Sequence, residues 1–232
     1  MRIWHISDTH TYHGLLSVPE NIDVVLFSGD CSIPRDIYKS EFQIREFLLW
    51  MWKLPIKHKI FVAGNHDFGI EKNLVKNFED YDVIYLENDS VTIDGIKFWG
   101  SPFTPSFGNW GFGKSRSKIH KVWDSIPDDS DVIVTHGPPK GILDISNNHD
   151  NSIEFCGDSS LKKRMFKLEP ILVCFGHIHN YRDHINAGSM KLSGRKTIYS
   201  NGSVVTDGKF GKLSSNGNIF EIDSEKNIKI ID

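Results

Sequence analysis

Apolar positions along this chain fall into two kinds of pattern. Short, near-continuous runs rich in Val, Ile and Phe occupy Arg2 to Ser7, Asp23 to Ser28, Lys59 to Ala63, Asp131 to Thr135 and Ile171 to Phe175. Runs without polar alternation are what strands covered on both faces require. The segment Glu41 to Lys53 instead spaces Phe42, Ile44, Phe47, Leu48, Met51 and Trp52 at helical intervals. That broad apolar face predicts a helix packed on a core. Ser40 with Gln43 reads as a capping box at its start, and Pro55 lies just beyond its end. Further helices are predicted over Glu71 to Phe78, Ser117 to Asp124 and Ser159 to Lys167.

The later chain changes character. Ser90 to Ile93 and Ile96 to Gly100 flank Asp94-Gly95, a strong hairpin signal. Beyond Gly176, strand-like runs at Lys196 to Ser200, Asn218 to Asp223 and Asn227 to Ile231 are separated by Gly, Asn and Ser. Alternating strand and helix followed by a meander predicts an α/β protein with two packed mixed sheets flanked by helices. No repeat, low-complexity tract or linker interrupts residues 1–232, which read as a single domain. Two long loops, Ser101 to Gly113 and Gly141 to Gly157, have the length of functional or mobile segments. The second contains Asn147-Asn148-His149-Asp150-Asn151.

Composition narrows the field of partners. The formal net charge is -3 and the basic residues are scattered, so no basic stripe suits extended nucleic acid. A small phosphate-bearing molecule fits that balance better. The three cysteines, Cys31, Cys156 and Cys174, form no spaced pair, which argues for free thiols in a reducing compartment. Cys31 is read as a partly buried thiol rather than a ligand. No apolar stretch approaches membrane-spanning length, and Met1 runs directly into strand and ligand motif. The expectation is a cytoplasmic protein with no membrane partner.

The chemistry is concentrated where the strand-like runs end. Asp8-Thr9-His10, Gly29-Asp30, Gly64-Asn65-His66-Asp67, His136-Gly137 and Gly176-His177-Ile178-His179 each follow one of them. In a parallel sheet all five would reach one rim. Together they offer carboxylate, imidazole and amide donors, the ligand set of a two-metal hydrolytic site. Such a site relieves charge on a phosphoryl group and ionises a water shared between ions about 3.5–4 Å apart. Each motif alone is weak; their order and company carry the reading. His5, His13, His58, His120, His149 and His184 lack such company and are read as ordinary histidines.

These motifs, in this order, resemble the calcineurin-like metallophosphoesterase superfamily. Gly100-Ser101-Pro102, Trp110-Gly111-Phe112, Thr135 to Pro139 and Asn201-Gly202-Ser203 are similar to its metallophosphoesterase-domain-containing branch, itself similar to class III cyclic nucleotide phosphodiesterases. The resemblance implies a four-layer α/β/β/α sandwich and a site for two metal ions; mixed oxygen and nitrogen donors suit divalent Mn, Fe, Zn, Co or Ni without choosing among them. It implies that Asp8, His10, Asp30 and His179 hold the first ion. Asp30 would bridge to a second ion, completed by Asn65, His136 and His177. His66 would contact the phosphate and protonate the leaving oxygen, with Asp67 orienting its ring.

The leading expectation is therefore a phosphodiesterase for small nucleotide-type substrates, working through a metal-bridging hydroxide. Phe107 or Trp110 would stack on the substrate. A phosphomonoesterase or nuclease on the same site is the alternative, and a non-catalytic protein-binding module the third. Such a module would be expected to shed ligands, whereas every position of the set is filled.

Overall fold

Two six-stranded mixed sheets form the centre of the molecule, in a computed structural model that describes residues 1–33, 35–147, 152–207 and 211–231. Asn148, His149, Asp150 and Asn151, part of the second long loop, lie outside the described residues. The chain begins with β1 (Arg2–Ile6), β2 (Val24–Phe27), α1 (Ile37–Lys53), β3 (His58–Phe61), α2 (Phe68–Glu71) and β4 (Ile84–Tyr85). It continues through β5 (Asp89–Ile93), β6 (Ile96–Ser101), β7 (Thr104–Pro105), β8 (Gly113–Lys114), α3 (His120–Asp124) and β9 (Val132–Thr135). Then follow β10 (Ile145–Asn147), β11 (Ile153–Phe155), α4 (Ser159–Leu168) and β12 (Leu172–Phe175). The last strands are β13 (Gly188–Lys191), β14 (Ile198–Asn201), β15 (Asn218–Ile222) and β16 (Ile228–Ile231).

The first sheet runs β16-β15-β1-β2-β3-β4 and the second β13-β14-β12-β9-β6-β5. In both, the central strands are parallel: β1 to β4 in one, β6, β9, β12 and β14 in the other. Antiparallel strands close three of the four edges, and the parallel β4 forms the fourth. The near-continuous apolar runs explain the stacking, because each parallel strand feeds side chains to two cores. Ile3, Val24, Leu26 and Ile60 meet Phe98, Val132, Val134 and Leu172 between the sheets. Trp4, Val25, Phe27 and Phe61 face the other way, onto Ile44, Phe47, Leu48 and Met51 of α1. Trp99, Ile133, Val173 and Phe175 pack beneath α3 and α4, against Trp123, Leu161 and Met165. Three cores between four layers make the α/β/β/α sandwich. Among the described residues, no helix is long and apolar enough to cross a membrane.

Local departures from the sequence reading have identifiable causes. Helix α1 starts at Ile37, because the Asp36 side chain accepts from the Tyr38 and Lys39 amides. Ser40 and Gln43 are thereby released from capping. Gln43 Oε1 accepts from the Ile33 amide at 2.9 Å, and the buried Ser40 hydroxyl faces Ser32 and the His66 carbonyl. The helix expected over Glu71 to Phe78 is a single turn, Phe68–Glu71, with a separate 3-10 turn at Phe78–Tyr81. Asn73 takes φ 59° between them and ends the first turn, while Val75 and Phe78 still reach the core. The long loop after Ser101 carries the small β7–β8 ribbon, and the one after Gly141 carries the β10–β11 hairpin.

Candidate metal centre

Parallel strands release their chains at the same rim, and here both sheets share it. An isolated bridge pairs Ser7, beyond β1, with Ser203, beyond β14. Below it the buried His5 ring spans the sheets, with Nδ1 2.7 Å from Ser200 Oγ and Nε2 2.9 Å from Ser28 Oγ. The segments after β1, β2, β3, β9 and β12 therefore converge.

The seven side chains read as ligands fall into two adjoining groups. Asp8, His10 and His179 bring donor atoms within 4.8 Å of one another, and so do Asp30, His136 and His177. Asp30 also groups with His10 and His66, which puts it between the two clusters. Asn65 joins the second group, its Oδ1 2.9 Å from His136 Nε2. In the first group His179 Nε2 lies 3.0 Å from Asp8 Oδ1 and 3.4 Å from His10 Nε2.

Several donors are aimed by a partner behind them. His136 Nδ1 lies 2.8 Å from the Ser28 carbonyl, and His10 Nδ1 2.9 Å from that of Ser32. Bonds of this kind assign the proton to Nδ1 and leave Nε2 facing inward. Asp8 accepts the His177 amide at 2.9 Å and the Ser203 hydroxyl at 2.7 Å. Ser203, in the Asn-Gly-Ser stretch, is a support that spacing alone does not reveal. The backbone is also held in demanding conformations: Asp8, His10, Asp30 and His177 have φ of 51°, 40°, 63° and 68°. Left-handed backbone at a non-glycine residue costs roughly 1–2 kcal/mol, and four such residues in one pocket mark a shape imposed by its surroundings. Gly29, at φ 108°, makes the turn into Asp30 that the sequence suggests.

The electrostatics call for positive charge. Burial alone would raise the Asp8 and Asp30 carboxyls, but the neighbouring imidazoles hold both well below the ordinary carboxylate range. Burial draws His177 down to about 3 and His10 to about 4, so both stay neutral and offer lone pairs. Burial also opposes charge on His136, yet Asp30 and Asp8 outweigh it and push this ring up to about 9. His179 is raised too, burial being outweighed by Asp8. His136 Nε2 faces both Asn65 Oδ1 and Asp30 Oδ2, the latter at 3.2 Å. Mixed imidazole, carboxylate and amide donors converging on two adjacent points suit divalent transition metals. The residues present fit that cofactor.

The neighbours of this pocket correct the readings of Asp67 and Cys31. Asp67 does not orient the His66 ring; His66 Nδ1 lies 2.7 Å from the Ile33 carbonyl instead. Asp67 is wholly buried and faces backward, where Oδ2 accepts the Asp30 and Gly64 amides and Oδ1 accepts the Ser32 amide. It ties the turn after β2 to the turn after β3. Cys31 is fully buried rather than partly so, and its thiol donates to Asp67 Oδ1 at 3.3 Å. Trp110 has close protein neighbours. Its ring centroid is 4.1 Å from that of His66, and the Arg35 guanidinium lies over it at 4.0 Å. Trp110 still lines the cleft beside Phe107. Phe107 is 45% exposed and lies 5.3 Å from the His177 ring, at the edge of the pocket. A cleft of about 400 Å³ extends from the metal groups past Phe107, Arg116, Glu154 and Tyr181.

Known proteins resemble this chain in sequence and in fold. The chain is 29% identical over 229 residues to metallophosphoesterase domain-containing protein 1 of Homo sapiens, covering 87% of this chain and 65% of that protein. It thus spans less than two thirds of that relative's length. Among solved structures, TT1561 of Thermus thermophilus aligns with a TM-score of 0.55 at 11% identity, covering 99% of this chain and 97% of that one. The phosphopantetheinyl hydrolase PptH of Mycobacterium tuberculosis aligns with a TM-score of 0.51 at 14% identity, over 87% and 88% of the two chains. At such identities the likeness is one of fold. The sequence match is more specific: over residues 1–181, through the last of the converging histidines, this chain belongs to the calcineurin-like phosphoesterase family.

Proposed function

We propose that this chain is a metal-dependent phosphoester hydrolase acting on phosphodiesters of small, nucleotide-type molecules. The observation that carries the reading is the position of Asp30, between two imidazole-bearing groups and with His66 beside it. Asp8, His10, Asp30 and His179 would hold one divalent ion, and Asp30, Asn65, His136 and His177 a second. Ions bound there supply a nucleophile at neutral pH and neutralise charge on the phosphoryl oxygens.

The remaining work falls to side chains. His66 lines the cleft, with Nε2 3.9 Å from Asp30 Oδ2 and Nδ1 on the Ile33 carbonyl. In its imidazolium form Nδ1–H stays on that carbonyl, while Nε2–H is presented to the departing oxygen. The Asp30 carboxylate also accepts the His66 amide at 2.7 Å, so one residue sets both the ions and the acid. Preference for a diester follows from the cleft, which continues beyond the metal groups and has room for a second ester substituent. Phe107 is the exposed ring available to a planar group there.

The test compares bis(4-nitrophenyl) phosphate with 4-nitrophenyl phosphate, in Mn²⁺ and then in Fe, Zn, Co and Ni salts. The expected result is faster turnover of the diester. A faster monoester would remove the diester assignment, and no turnover with any ion would remove the hydrolase. On methyl phenyl phosphate, whose leaving group needs a proton, His66→Ala is expected to keep its metal content by elemental analysis while kcat falls by about 10²–10³-fold, within the usual worth of a placed acid. Full activity in that variant would show that His66 has no part in the chemistry.

A further inference from the structure

The loop Phe103 to Phe112 is fastened to the turn that carries His66, and it is fastened at several points. The Gly111 amide donates to the Asn65 carbonyl at 3.0 Å. The Phe112 amide donates to Glu71 Oε1 at 2.8 Å, on the helical turn that follows His66. A Cβ at Gly111 would sit 3.0 Å from the Asn65 carbonyl oxygen, so the approach is as close as a side chain allows. Just before these anchors the Trp110 ring lies on His66, tilted by 34°. Its centroid also carries the Arg35 guanidinium. Arg35 belongs to the same short stretch as Ile33, whose carbonyl faces His66 Nδ1. Ile33 is in turn held to α1 by Gln43.

Two sides of one imidazole are thus determined by one stretch of chain. Ile33 sets which nitrogen faces the protein, and Arg35 holds the Trp110 ring against the imidazole plane. The His10 ring, edge-on at 4.8 Å, limits motion on a further side. A ring with only a hydrogen bond at Nδ1 can still swing about that bond. A ring also packed against an indole cannot.

We propose that Trp110, seated by Arg35, is a positioning residue that aims His66 Nε2 at the leaving oxygen, rather than a platform for substrate. The inference rests on the assignment of His66 as the acid for the leaving group. Misplacing a catalytic group by about 1 Å can cost on the order of 100-fold in rate. The loss should be selective. A poor leaving group needs its proton, whereas 4-nitrophenolate departs without one.

The experiment uses the metal-loaded protein and a series of methyl aryl phosphates whose phenols span weak to strong acids. For Trp110→Ala, kcat is expected to fall roughly 10- to 100-fold on the phenyl ester and under about 3-fold on the 4-nitrophenyl ester. KM should change little, and Trp110→Phe should restore most of the lost rate. Arg35→Ala, a change at an exposed side chain, should reproduce the selectivity in weaker form and guards against a folding defect in the first variant. A second readout needs no turnover. Proton NMR of the metal-free protein should show the His66 ring protons displaced by the indole ring current, and Trp110→Ala should abolish that displacement. Equal losses across the ester series, or an effect confined to KM, would overturn the proposal. His66→Ala separates the two levels: if it shows steep leaving-group dependence while Trp110→Ala does not, only the positioning role fails. If His66→Ala shows none, the acid assignment fails and the positioning role with it.

Discussion

Asp30→Ala is expected to bind neither ion and to lose more than about 10³-fold in turnover, a larger effect than at any other position in the pocket. Changes to groups that merely support a ligand usually cost 10- to 100-fold. Asp30 groups with His136 and His177 and also with His10 and His66, so in the proposed site its removal would take a carboxylate from both ions. The same oxygens face His136 at 3.2 Å and accept the His66 amide at 2.7 Å. Removing them leaves a buried donor without a partner and a buried imidazole without its counter-charge. Asp8→Ala, by contrast, should empty the first group and leave the second able to retain an ion. Elemental analysis after dialysis checks both, with circular dichroism to show that each variant is folded. An Asp30→Ala protein holding two equivalents of metal would contradict the shared position on which the proposed chemistry depends.

The second large effect is steric. Gly176→Ala is expected to lower the melting temperature by several degrees and to weaken metal binding in the first group by at least tenfold. A Cβ at this position would fall on Asp8 Oδ2 and Ser7 Oγ, with Ser7 Cβ 2.6 Å away. Ser7 and Asp8 are both fully buried, and Asp8 is already engaged by Ser203 and the His177 amide. No flexible end is available to move aside. Overpacking of a tight core typically costs 1–3 kcal/mol, or roughly 2–4 °C per kcal/mol in a domain of this size. The displaced carboxylate would then miss His179. Thermal unfolding and Mn²⁺ titration of the variant measure both parts. Unchanged values would mean that the end of β12 can shift without moving Asp8.

Much of this architecture is legible in sequence because burial leaves a mark on composition. The apolar runs before Asp8, Asp30, Gly64, His136 and Gly176 announce strands covered on both faces, and parallel strands deliver their ends to one rim. What escapes is the work of backbone donors, which have no residue-type signature. Asp67 is an example: beside His66 in sequence it reads as a partner for that ring, yet it collects the amides of Asp30, Gly64 and Ser32. The helix expected over Glu71 to Phe78 is another case. Its apolar residues do reach the core, but through two short turns rather than one regular element. Trp110 reads as a free aromatic because Arg35 is remote in sequence and carries no pattern that links them. The short strands β4 and β13 are similarly silent, being mostly partly exposed and paired at a sheet edge.

Each cluster of donors draws on both sheets. Asp8, His10, Asp30 and Asn65 come from one, and His136, His177 and His179 from the other. An ion seated in either cluster would therefore act as a rivet across the sandwich, with cohesion of the two halves linked to occupancy. For such a molecule, loading with a transition metal would raise the temperature at which the two halves come apart.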